Sequence, residues 1–161
     1  MDIHMMSSEF DDWSNSTIWA IFVKDSNVTI NDGVFDAGTG AAYNIALWAD
    51  GESKVTINDG IFITGDDVNG DVNHCIYASN GAIVEINGGT FISKGDASWL
   101  INCRDNDGSV IIISGGTFIG FNPQNCICEG EMTNFLAEGY TVEETIVNNV
   151  TNYKVVKQSV D

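Results

Sequence analysis

The sequence predicts an all-β chain that folds as a right-handed parallel β-helix of four to five coils, with a cap at each end. The first supporting observation is an eight-residue pattern that occurs four times, at 28–35, 55–62, 84–91 and 111–118. The second is its regular spacing of 27, 29 and 27 residues between the equivalent glycines Gly33, Gly60, Gly89 and Gly116. The third is that no stretch between turns is long enough for a helix of about ten residues. Such a period is typical of a solenoid.

Each coil of about 27 residues divides into three short strands separated by Gly, Asn or Asp turns. The first strand is expected to end at an acidic or amide residue, namely Asp25, Asp50, Asn80 and Asp105. Alternation along the second strand directs its Val and Ile side chains inward. Stacking at about 4.8 Å then aligns equivalent residues into columns. One column contains phenylalanines, and another contains the corner residues Asn31, Asn58, Asn87 and Ser114, interpreted as a hydrogen-bonded ladder.

The repeats occupy residues 17–137 in this prediction, and the flanking segments act as caps, because an open coil edge would recruit another chain. Residues 1–16 are assigned either to an N-terminal cap or to a segment that is partly left over from expression. Residues 138–161 are assigned to a C-terminal capping segment. Within it, 141–147 and 152–157 break the period and predict a terminal hairpin.

Strict alternation along the first strand, anchored on its final Asp or Asn, gives an apolar outer face. The side chains predicted to point outward include Phe22, Ile45, Leu47, Tyr77 and Leu100. A contiguous patch of this kind is typical of a covered surface. Three explanations are open: a homo-oligomer, with a parallel trimer favoured; coverage by the chain's own N- or C-terminal segment; or an inward/outward assignment that is off by one residue.

The chain is strongly acidic, with a formal net charge of −17 and six Lys and Arg residues. A surface of this sign repels phosphate backbones and anionic lipid headgroups. The sequence also contains no apolar run of 18 residues and no recognisable signal peptide. We therefore expect no nucleic-acid partner and no membrane partner.

No cofactor is expected, although one loop is a candidate calcium site. Asp66, Asp67, Asn69 and Asp71 offer several hard oxygen donors in one turn, and the alternative is a solvated acidic turn. The four cysteines are interpreted as thiols of a reducing compartment, with a single disulfide or a metal site as alternatives.

No catalytic constellation is evident, so the chain is expected not to be an enzyme. His4 and His74 are the only histidines. Lys24 and Arg104 occupy one outward column near Asp107, which would suit a general base beside a carboxylate or, as the alternative, a surface salt-bridge cluster.

Three segments resemble short pectate-lyase-like β-helix modules of virion and surface proteins from gut bacteriophages and bacteria. They are the coil motif Val84-Glu-Ile-Asn-Gly-Gly-Thr-Phe91, the exit 115–123 and the closing segment 134–140. The resemblance implies a fold that enzymes, tailspikes and adhesins share. Polysaccharide lyases of this fold carry catalytic Asp, Arg and Lys on the outer face of the first strand. This chain has Phe22, Leu47 and Tyr77 there, so no catalytic residue is transferred.

The expected function is a non-enzymatic structural or attachment module, namely a phage head-fibre, tail-fibre or capsid-decoration protein that assembles as a homo-oligomer. It would be assembled in the host cytoplasm and located in the virion, with other virion proteins or a host surface glycan as further partners. One alternative is a carbohydrate-binding or depolymerising β-helix that stacks sugars on Tyr43, Tyr77, Trp99 or Phe121. Another is an adhesin on the bacterial cell surface.

Overall fold

The computed structural model describes residues 6–8, 17–39, 41–65, 72–104, 106–128 and 131–159. These residues form strands and turns and no helix. The N-terminal strand is β1 (Met6–Ser8), and the four repeat units that follow are β2 (Thr17–Lys24), β3 (Asn27–Ile30), β4 (Val34–Asp36); β5 (Tyr43–Asp50), β6 (Lys54–Ile57), β7 (Ile61–Thr64); β8 (Val72–Ser79), β9 (Ile83–Ile86), β10 (Thr90–Ser93); and β11 (Ile101–Cys103), β12 (Val110–Ile113), β13 (Thr117–Ile119). The last four strands are β14 (Cys126–Cys128), β15 (Glu131–Thr133), β16 (Tyr140–Val147) and β17 (Val150–Lys157).

The repeat units stack as a parallel β-solenoid, which confirms the predicted fold class. Equivalent strands pair in parallel and form three sheets: β2-β5-β8-β11, β3-β6-β9-β12 and β4-β7-β10-β13. The stack makes about three turns, fewer than the four to five coils predicted. After β13 the winding becomes irregular: β14 pairs antiparallel with β15, and the second sheet is extended by a single parallel bridge between Ile113 and Leu136.

Two predicted columns are present in the core and at one corner. The four phenylalanine rings stack with centroid separations of 4.9, 5.2 and 4.7 Å, in the order Phe35, Phe62, Phe91 and Phe118. In the amide ladder, Asn58 donates to Asn31 at 2.8 Å and Asn87 donates to Asn58 at 3.0 Å. Ser114 donates to Asn87 at 2.9 Å and ends the ladder. Because these polar groups bond to one another, the corner needs no ligand to satisfy them.

The long first strand bends in the middle, and this bend overturns part of the predicted orientation. Two consecutive residues, Ala46 and Leu47, are both fully buried in the core. In the next coil, the N–H groups of Cys75 and Ile76 both donate to the carbonyl of Leu100, a sharing typical of a bulge. Strict alternation therefore fails across the bend.

The corner after β5 was also assigned one residue too early. In the strand register, Lys24 lies opposite Asp50. The residue of the second coil that is equivalent to the left-handed corner residue Asp25 is therefore Gly51 and not Asp50. With this shift, Leu47 and Ala49 face inward and Trp48 faces outward, the reverse of the prediction for this strand. The third explanation of the apolar outer face, an assignment off by one residue, thus applies to β5.

Additional strands flank the first and third sheets. β1 pairs antiparallel with β2 at the edge of the first sheet. The predicted terminal hairpin is confirmed as β16 and β17, and β17 pairs antiparallel with β13, the last strand of the third sheet. Both additions are antiparallel, so they do not continue the winding of the coils.

Candidate binding face

Aromatic side chains form a continuous cluster on the outer face of the first sheet. Phe22, Trp48 and Tyr77 are equivalent residues of three successive coils. Their ring centroids lie 5.0 Å apart for Phe22 and Trp48 and 5.9 Å apart for Trp48 and Tyr77. Trp19 joins the cluster at 5.5 Å from Phe22 and 5.9 Å from Trp48. We call these four residues the aromatic strip.

A polar network below the strip fixes the orientation of Trp48. The indole Nε1–H donates to Ser79 Oγ at 2.8 Å, and the Ser79 hydroxyl donates to Asp50 Oδ1 at 2.8 Å. Lys24 Nζ lies 3.2 Å from Asp50 Oδ2, and Asn80 donates to the same carboxylate. Burial acts to raise the pKa of Asp50, but hydrogen bonds from Ser79 and Asn80 and the Lys24 ion pair outweigh it, so this pKa is lowered. Asp50 is therefore ionised at neutral pH and holds the network together.

His74 supports the other end of the strip. Its ring is buried and stacks on Tyr77 with a centroid separation of 5.1 Å and an interplanar angle of 13°. Its Nδ1 lies 2.6 Å from the carbonyl oxygen of Trp99. Burial lowers the pKa of His74 to about 4, with the Trp99 hydrogen bond acting in the opposite direction. The ring is thus neutral at pH 7, and because a carbonyl only accepts, Nδ1 carries the proton.

Three of the four rings of the strip expose part of their surface, whereas Trp19 is buried. Phe22 is 39% exposed, and Trp48 and Tyr77 are half-buried. The interplanar angle is 65° both between Phe22 and Trp48 and between Trp48 and Tyr77, which makes the outer surface a ridge of ring edges. Such a ridge offers apolar contact area on a rigid support, which suits association with another apolar surface or with a sugar ring.

The five residues predicted to face outward have different positions. Phe22 and Tyr77 belong to the aromatic strip. Leu47 and Leu100 are fully buried in the core, so the prediction that they face outward is wrong. Ile45 is also buried, at 4% exposure. It lies between Trp19 and His74, the residues opposite it on the two neighbouring strands.

Trp19 and Trp48 are the strip residues that the sequence prediction did not include. Strict alternation counted back from Asp50, which predicts Leu47 outward, places its neighbour Trp48 in the interior. The signal that could have corrected this is Gly51, since glycine is the residue that most readily adopts the left-handed conformation at a corner. It has a φ of 68°, equivalent to 47° at Asp25 and 56° at Asn80.

The other predicted sites do not assemble in the part of the chain that the structure describes. The calcium candidates Asp66, Asp67, Asn69 and Asp71 lie outside the described residues. Within those residues, no group of three or more His, Cys, Asp or Glu side chains could hold a metal ion. Lys24 in the first coil forms an ion pair with Asp50. Arg104 in the fourth coil instead interacts electrostatically with Asp107. The two basic residues are therefore not brought together.

Of the other proposed sugar-stacking residues, Trp99 is partly exposed and Phe121 is buried. No helix of the described segments is long and apolar enough to cross a membrane. Comparisons with protein-family models, curated proteins and solved structures gave no significant match.

Proposed function

We propose that this chain is a non-enzymatic structural and attachment module that assembles as a homo-oligomer through its aromatic strip. The strip is the observation that carries the proposal, because it places partly exposed rings on a stiff sheet. The assignment to a phage fibre or capsid-decoration protein is supported by the resemblance of the coil motif alone.

Mechanical rigidity is the first property that supports a structural role. Phe62, Phe91 and Phe118 are fully buried and stacked, and the Asn58 amide bonds to the coils before and after it. Each coil is therefore held to its neighbours by side chains as well as by strand pairing. A module of this kind keeps its outer face and loops in fixed positions, as an attachment protein requires.

The position of the strip supports self-association as the second property. Phe22, Trp48 and Tyr77 follow the stacking direction of the coils, so copies aligned side by side around a three-fold axis could bring their strips together. Aromatic residues are enriched in subunit interfaces, and charged residues are depleted at interface cores. Burial of the strip also removes apolar area from the surface of a chain whose solubility depends on its negative charge.

The test is the solution mass, measured by light scattering during size exclusion, for the wild type and two matched variants. Phe22 and Ile61 are each 39% exposed, but only Phe22 belongs to the strip. We expect the wild type and Ile61→Ser to show three times the 17.4 kDa chain mass, and Phe22→Ser to show 17.4 kDa. A monomeric wild type, or an unchanged mass for Phe22→Ser, contradicts assembly through the strip.

A second candidate function, carbohydrate binding, is favoured by the same strip. Successive rings lie 5.0 to 5.9 Å apart, so a sugar chain running along the coils could contact several of them. A monomeric wild type that binds an array of surface glycans, with loss of binding in Phe22→Ser but not in Ile61→Ser, would replace the first proposal with this one. No binding to any glycan in the monomer would exclude it for the glycans tested.

A further inference from the structure

Two thiols line one cavity where the last coil meets the β14–β15 hairpin. The cavity has a volume of about 290 Å³, and its lining includes Cys103, Cys128 and Arg104. Cys103 ends β11 in the first sheet, and Cys128 ends β14 in the hairpin. The two cysteines are 25 residues apart in sequence, and the fold brings them to one place.

Contacts of Cys128 place its sulfur against the residue that carries the other thiol. Its Sγ lies 2.9 Å from Asn102 Oδ1 and 3.3 Å from the carbonyl oxygen of Cys103. β11 and β14 belong to different sheets but are in contact with each other, so the two cysteines face one another across this junction. All four cysteines are thiols in this structure. Cys103 Sγ lies 3.1 Å from the carbonyl oxygen of Ser109, so formation of the bond requires the Cys103 side chain to turn from this partner toward Cys128.

The surroundings favour this pair over the remaining cysteines. Cys103 is half-buried and lines the cavity, whereas the other three cysteines are buried. Cys75 is fully buried in the core, and burial raises its pKa. Burial, followed by the proximity of Cys128, raises the pKa of Cys126 to about 12. Cys103 is thus the first thiol that an oxidant entering the cavity meets.

We propose that Cys103 and Cys128 form an intramolecular disulfide when the protein meets a disulfide oxidant such as oxidised glutathione. The Cys103 thiolate attacks one sulfur of the oxidant and releases one glutathione thiolate. The Cys128 thiolate then attacks the Cys103 sulfur of the mixed disulfide and releases the second. Two protein thiols lose two protons and two electrons, and one glutathione disulfide becomes two glutathione thiols. This proposal does not depend on the proposed function.

The bond would tie the β14–β15 hairpin to the last coil. The segment that follows the hairpin already bonds to the last coil through the backbone of Ile113, which accepts from Ala137 and donates to Phe135, and the disulfide would add a covalent link beside these hydrogen bonds. A cross-link that closes a loop of this length removes conformational freedom from the unfolded chain. We expect the midpoint of thermal unfolding to rise by roughly 5–10 °C on oxidation. A module made in a reducing cytosol would become more stable after release into an oxidising medium.

The test is thiol counting and peptide mapping of the full chain after incubation with oxidised glutathione and removal of the reagent. Titration in denaturant should fall from four thiols to two. Trypsin cleaves after Lys94, Arg104 and Lys154, so the expected product is peptide 95–104 linked to peptide 105–154. Because the second peptide also contains Cys126, the variants Cys126→Ser and Cys128→Ser distinguish the two possible partners.

We expect the linked peptide and the higher unfolding midpoint in the wild type and in Cys126→Ser, and neither of them in Cys128→Ser. Retention of four thiols in the wild type, a link that persists in Cys128→Ser, or a link between two chains would each overturn the proposal. The peptide link in the wild type is decisive even if a variant fails to fold, since Cys126 can then be resolved from Cys128 by fragmentation of the linked peptide.

Discussion

His74 should make the stability of the fold depend on pH in a window where few other groups titrate. In the fold its pKa is lowered to about 4 by burial, against an ordinary value of 6.5. Between these values the unfolded chain binds a proton that the folded chain does not bind. The free energy of unfolding therefore decreases as the pH falls from about 6.5 to about 4. Since one pKa unit corresponds to about 1.4 kcal/mol, the total decrease is about 3 kcal/mol.

The carboxylates with shifted pKa values affect the free energy of unfolding at lower pH than His74 does. Asp36, Asp50 and Asp107 have pKa values lowered from 3.8, so their contributions are present above about pH 4 and are lost below it. Among the residues that the structure describes, the His74 ring stacks on the Tyr77 ring and bonds to the Trp99 carbonyl. Comparison of the wild type with His74→Asn therefore separates the contribution of His74 from that of the carboxylates.

The assay is urea unfolding, followed by circular dichroism, at pH 7.0, 5.5 and 4.5 for the wild type, His74→Asn and His4→Asn. Asparagine can still donate to the Trp99 carbonyl but does not titrate. We expect a loss of about 2–3 kcal/mol between pH 7.0 and 4.5 in the wild type and in His4→Asn, and a flat profile in His74→Asn. A wild type with no pH dependence in this window, or an equal slope in His74→Asn, would refute the buried neutral histidine.

Three further predictions concern packing and can be measured by urea unfolding at pH 7. Leu47→Ala should lower the free energy of unfolding by about 3 kcal/mol because Leu47 is fully buried. Ile61→Ala should lower it by about 1 kcal/mol because Ile61 is 39% exposed. The opposite order would contradict the inward orientation of Leu47. Phe91→Ala should cost about 4 kcal/mol because the ring stacks at 5.2 and 4.7 Å on two neighbours, and a loss below about 1 kcal/mol would argue against a continuous stack. Gly115→Ala should cost about 3 kcal/mol or prevent folding because its new Cβ would overlap the Asn87 carbonyl oxygen; an unchanged stability would show that the coils are less tightly stacked there.

Repetition explains why so much of the fold could be predicted. When a residue type recurs every 27 to 29 residues, stacking of coils brings the copies together without further information. Phe62 and Phe91 therefore meet in the core, and Asn58 and Asn87 bond to each other at the corner, as predicted.

The amino-acid sequence by itself determined the period, the three strands of each coil, the glycine corners and the terminal hairpin, because each depends on local patterns that repeat or break. The tertiary structure decided the composition of the binding face. The bend that buries both Ala46 and Leu47, together with the corner at Gly51, reverses the orientation of β5 and moves Trp48 to the outside. It also decided that Cys103 and Cys128 share a cavity, since the path of the β14–β15 hairpin after the last coil follows no repeat. Alternation is a rule for straight strands, and a bend in a strand changes which side chains reach solvent.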